Sequence, residues 1–205
     1  TLQSIFGLAK VVRNPVFTNL LLVGGILTAP FMAYIAVASY VYINEFHTSE
    51  TMFSFYFAVT SAFAMVGPTL YARFGQKPFK TVLWICAGIA VIAGMLLTTI
   101  GKTGPILFLI SYLPFAMMTT YIRPYFAELL LNAQQANIGA ASAAMNFGFT
   151  ILGSLGMFVG SLQWPSYVSG IAFTIFIFTA AAMVIFVAAD KLNVFPKIGS
   201  TKPEN

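Results

Sequence analysis

Residues 71–100 read YARFGQKPFKTVLWICAGIAVIAGMLLTTI, in which Arg73, Lys77 and Lys80 crowd into ten positions and the next twenty carry no charge. Twenty apolar residues in an α-helix cover the roughly 30 Å hydrocarbon core of a bilayer. The whole chain shares that character. It is 59% hydrophobic and 7% charged, with 21 phenylalanines and a mean hydropathy of +0.88, more apolar surface than a soluble fold can cover with polar groups.

Outward from this stretch, six apolar segments are expected to cross the membrane. They run from about Phe17 to Ile43, Met52 to Tyr71, Thr81 to Ile100, Pro105 to Phe126, Asn137 to Leu162, and Ser166 to Ala189. The expected organisation is an amphipathic linker at 1–16, an all-α six-helix transmembrane bundle at 17–189, and a tail at 190–205. The opening TLQSIFGLAKVVRNPVF has no small-residue cleavage site and does not read as a signal peptide. GGILTAP, VGPTL, SYLPFAMM and GSLGMFVG interrupt spans with Pro or clustered Gly, which lipid tolerates where neighbouring helices or cavity water satisfy the freed backbone.

Charge sorts by loop. Lys10, Arg13, Arg73, Lys77, Lys80, Lys191, Lys197 and Lys202 fall on one side and Lys102 on the other, whose first loop NEFHTSE carries Glu45 and Glu50. The positive-inside rule then places both termini in the cytoplasm, as an even number of spans requires. Tyr40, Tyr42, Tyr71, Trp164 and Tyr167 lie where an interfacial aromatic belt would put them. The net charge of +5 is explained by these loops, so no nucleic-acid partner is expected.

Little catalytic chemistry is on offer. One His, one Cys and no clustered carboxylates leave neither a metal site nor a catalytic constellation, and no cofactor is expected. His47 reads as a solvated loop residue. The third and sixth spans are the most uniformly apolar and are expected at the lipid-facing periphery, while the first, second, fourth and fifth carry Tyr34, Thr60, Met117, Thr120 and Asn146 and are expected to line a cleft. Small residues at Ala140, Ala144, Gly148, Gly156 and Gly160 let the fifth span approach a neighbour closely.

Residues 31–75, FMAYIAVASYVYINEFHTSETMFSFYFAVTSAFAMVGPTLYARFG, resemble the seventh and eighth helices of the Bcr/CflA-like drug-resistance branch of the major facilitator superfamily, through Phe31, Tyr34, Glu45, Phe53, Phe57 and Ala58. NIGAASAAMNFG at 137–148 is similar to the start of that family's eleventh helix, matching at Gly139, Ala140, Ala141, Ser142 and Ala143. Arg73-Phe74-Gly75-Gln76-Lys77 resembles the second copy of the superfamily's cytoplasmic loop motif, with Ala72 in place of its Asp and Gln76 in place of an Arg.

The resemblance covers the chain as the C-terminal six-helix half of a twelve-helix transporter in a bacterial inner membrane. The absent initiator Met and the linker-like opening suggest a chain that begins partway through a longer one. The implied function is export of drugs or other small amphipathic molecules by alternating access, coupled to protons, with an N-terminal half or a second copy as partner. No carboxylate lies deep in a span, so coupling would depend on the other half. Phe31, Tyr34, Phe57, Met117, Asn146 and Phe149 are the candidate substrate contacts, each with packing as its alternative. Arg73, Arg123 and Glu128 are candidate gating or ion-pair residues, the last two expected to pair with another helix. A half-size homodimeric facilitator and a non-transporting sensor or assembly subunit remain as alternatives, with a membrane-embedded enzyme disfavoured.

Overall fold

A computed structural model of the chain describes residues 11, 13–74, 78–134 and 138–195; Lys10, Gln76, Lys77, Lys197, Lys202 and most of the expected linker and tail lie outside these. The helices are α1 (Pro15–Ser39), α2 (Glu50–Ala64), α3 (Val66–Phe74), α4 (Phe79–Thr99), α5 (Pro105–Asn132), α6 (Ile138–Gly160) and α7 (Tyr167–Lys191). A π-helical turn, Tyr40–Glu45, continues α1, and α2 with α3 forms one broken span. The protein is an all-α bundle of six membrane-length helices, with no strand among the described residues.

Local chemistry sets the helix starts. Pro15 opens α1, and the Asn14 side chain accepts from Val16 N at 3.0 Å. The Glu45 carboxylate accepts from Tyr167 N at 2.6 Å and Val168 N at 3.3 Å, so the end of the first span caps the start of the sixth. At the opposite end Lys80 pairs with Asp190 at 2.7 Å, tying the third span to the sixth.

The break between α2 and α3 has an identifiable cause. Pro68 has no N–H to give the carbonyl four residues back, which belongs to Ala64. That oxygen instead accepts the Thr120 hydroxyl of α5 at 2.5 Å. Gly67 permits the approach, since a Cβ there would lie 2.6 Å from the Met117 carbonyl oxygen.

Four helices, α1, α5, α4 and α7, pack in a closed circuit, each on the next. The remaining two spans flank this core, α6 on α1 and α2–α3 on α5. Exchanging span one with four, two with five and three with six preserves this arrangement. Burial follows the same pairing: 56% and 50% for spans one and four, 22% and 33% for two and five, 44% and 39% for three and six. Because the connections are too short to recross a bilayer, paired spans run in opposite directions, the signature of an inverted repeat.

Spans two and five are the least buried within the bundle, and spans three and six are intermediate, each with one face turned outward. Uniform apolarity cannot distinguish acyl chains from neighbouring apolar helices, and α4 is partly buried through Ala87, Ala90, Ala93 and Gly94. The small-residue stripe of α6 does serve close approach. A Cβ at Gly156 would lie 2.1 Å from the Ala29 carbonyl oxygen, and α1–α6 is the most extensive helix contact in the bundle.

Candidate functional site

The central residues of α6 and of the first span are Phe149 and Pro30, and a small cavity opens at that level. Thr28, Phe31 and Met32 of α1, Thr119, Thr120 and Arg123 of α5, and Phe149 and Gly153 of α6 line it. Each helix contributes residues four apart, Thr28 with Met32, Thr119 with Arg123 and Phe149 with Gly153, as one helical face must. The volume is about 40 Å³, room for water-sized groups and far below the roughly 300–1,000 Å³ of a drug-sized site. A ligand site here needs a further wall.

Its chemistry is mixed. Thr28 donates to the Gly24 carbonyl at 2.9 Å and Thr119 to that of Ala116 at 2.8 Å, so these hydroxyls spend their protons on their own helices and offer lone pairs to the cavity. Arg123 is the one ionisable residue lining the cavity, and its guanidinium lies 5.6 Å from the centre of the Phe149 ring. Alongside on α6 runs a ladder of polar residues. Asn146 donates to Ser142 O at 3.0 Å, Thr150 to Asn146 O at 2.8 Å and Ser154 to Thr150 O at 2.9 Å; all three donors are on the exposed face. The symmetry-related second span exposes Ser54, Ser61 and Thr69, also bonded to their own backbone.

The structure brings together Phe31, Phe149 and Arg123 of the residues singled out by sequence. Asn146 borders them, exposed. Tyr34 is fully buried instead, stacked on Tyr112 with ring centres 4.0 Å apart and on Phe57 at 6.2 Å, its hydroxyl 3.2 Å from Thr60 Oγ1. Tyr34 and Phe57 thus belong to an aromatic cluster with Phe108. Met117 lies on the opposite face of α5, in a separate groove. Arg73 is exposed at the end of α3.

The expected ion pairs of Arg123 and Glu128 with other helices are absent among the described residues, where Lys80–Asp190 is the one ion pair. Arg123 meets Phe149 of α6 instead, and Glu128 accepts the Tyr71 hydroxyl of α3. His47 is exposed in its loop with φ 51°, as a solvated turn residue can be. Sequence reasoning missed Thr28, Met32, Thr119 and Gly153. The spacing of four from Phe149 pointed to Gly153, and Thr28 and Met32 share such a spacing, but nothing in the sequence sets the rotation of α1 against α5.

No group of three His, Cys, Asp or Glu side chains among the described residues could hold a metal. Set against known proteins, the chain matches no family model, no curated protein and no solved structure. The fold and its spans define an integral membrane protein, an all-α bundle of six transmembrane helices.

Proposed function

We propose that the chain is one half of a secondary transporter working by alternating access, of the major facilitator type that its sequence resembles. The observation that carries this reading is the inverted three-plus-three pairing of spans with a polar notch at mid-depth where spans one, four and five meet. Two features support a second bundle opposite. The notch is too small for a ligand alone, and spans two and five are the least buried, their outward faces mixing apolar residues with Ser54, Ser61, Asn146, Thr150 and Ser154, a surface open to a second bundle. The partner is an N-terminal six-helix half or a second copy of this chain.

The substrate is a small amphipathic molecule of the kind drug exporters carry. Phe31, Met32 and Phe149 suit its apolar body, and a guanidinium as the notch's one charge favours an anionic or hydrogen-bond-accepting head over a cationic one. None of the notch-lining residues is a carboxylate, so proton coupling would depend on an N-terminal half, and two copies of this chain would favour facilitated diffusion. The positive-inside rule supports an orientation with the end carrying Arg73, Lys80 and Lys191 in the cytoplasm, and the sequence resemblance implies a bacterial inner membrane.

Vesicles containing the natural full-length gene product test this reading. With an imposed proton gradient, they are expected to move amphipathic compounds against concentration, and Arg123→Gln is expected to weaken acidic compounds more than neutral ones. A sealed, folded preparation that moves none of a broad panel of anions, neutral compounds and cations would contradict it.

A further inference from the structure

A second concavity lies on the side of α5 opposite the notch, between α3, α4 and α5. Its volume is about 200 Å³, and Leu70, Val82, Cys86, Pro114, Met117 and Tyr121 are among its lining residues. The lining is almost wholly apolar. Ile85 in its lining is exposed, so the groove opens sideways, toward the acyl layer that surrounds a membrane-spanning bundle.

One end of this groove is charged. Arg73 follows Leu70 by three residues on α3, one helical turn nearer the bundle end, and is exposed. No ion pair or hydrogen bond from another described residue engages it. Of the other charges at that end, Lys80 is engaged by Asp190 and Glu128 by the Tyr71 hydroxyl. Lys77, four positions after Arg73, adds a second cation in the same loop of the sequence.

We propose that the groove is a lipid site that holds one acyl chain of an anionic phospholipid, with the lipid phosphate on Arg73. An apolar slot that opens to the acyl layer and ends in a cation at headgroup level matches the two parts of such a molecule. The slot cannot distinguish lipids by hydrophobicity, because every tail is equally apolar, so the selection comes from the head. One membrane-surface cation favours an anionic head roughly fivefold. The site depends on membrane insertion alone and is independent of the transport reading.

Ile85 lines the groove and is exposed, so Ile85→Trp puts a reporter there; the chain's own tryptophans are Trp84 and Trp164. In full-length protein carrying Ile85→Trp, Trp84→Phe and Trp164→Phe, with any tryptophan outside this chain also replaced, the fluorescence of the introduced tryptophan is titrated with phosphatidylglycerol and phosphatidylcholine bearing brominated tails. Phosphatidylglycerol is expected to quench at a several-fold lower mole fraction. Arg73→Gln should abolish the difference and Arg73→Lys retain most of it, while Met117→Phe, which fills the groove, should reduce it. Equal quenching by the two lipids, a preference for phosphatidylcholine, or an anionic preference that survives either Arg73→Gln or Met117→Phe would overturn the proposal. Should Arg73→Gln not fold, Met117→Phe decides it.

Discussion

Thr120 of α5 donates its hydroxyl to the Ala64 carbonyl of α2 at 2.5 Å, the acceptor that Pro68 leaves without a helical partner. The same threonine lines the central notch. A single side chain therefore joins the break in the second span to the wall of the candidate site.

Thr120→Val keeps the shape and removes the donor, leaving the part-buried Ala64 carbonyl without this partner. The expected cost is about 1–3 kcal/mol, read as a lowered thermal midpoint in detergent, and Thr120→Ser should restore most of it. Equal midpoints for all three proteins would mean that the bond contributes nothing.

Two glycines should respond oppositely to alanine. At Gly156 the new methyl would lie 2.1 Å from the Ala29 carbonyl oxygen, so α1 and α6 must separate, at a cost of about 1–3 kcal/mol. At Gly88, on an exposed stretch of α4, a Cβ meets nothing within 4 Å. Gly88→Ala should stabilise by about 0.5–1 kcal/mol. Thermal unfolding of the two variants side by side checks both signs.

Tyr34 and Phe31 should separate structure from ligand contact. Tyr34→Phe loses the bond to Thr60, which still donates to the Tyr56 carbonyl at 3.0 Å, so about 0.5–1.5 kcal/mol of stability is expected to go with KM unchanged. Phe31→Ala should raise KM several-fold with little loss of stability, Phe31 being only half-buried. A raised KM for Tyr34→Phe would bring the aromatic cluster back into the binding site.

Arg123 and Phe149 act as a pair if the guanidinium is held over the ring. Removing either by Arg123→Gln or Phe149→Leu is expected to weaken binding of an acidic substrate about three- to tenfold, with the double variant little worse than Arg123→Gln. Fully additive losses would show that the two act independently.

The spans were legible because twenty-residue apolar runs have one solution in a bilayer, and the loop charges separated the two ends of the bundle. Helix ends were less so: α5 continues to Asn132, past the expected Phe126, and takes Glu128 into its last turns. Of the residues singled out by sequence, Phe31, Phe149 and Arg123 line one notch. Tyr34, Phe57 and Met117 lie away from the notch, the first two in aromatic packing, which was their alternative reading. Residue type tells what a side chain can contact, whereas the rotation of each helix decides which face it is on. Met117 and Thr120 are three apart on α5 yet line different cavities.

Access to Phe31 tests the central claim most directly. With every native cysteine replaced, Cys86 included, a cysteine introduced by Phe31→Cys is offered a membrane-impermeant thiol reagent from one side of sealed vesicles and then, separately, from the other. A site that opens alternately predicts labelling from both sides, with the balance shifted by substrate or by a proton gradient. Labelling from one side only, unchanged by substrate and gradient alike, would contradict alternating access at this notch.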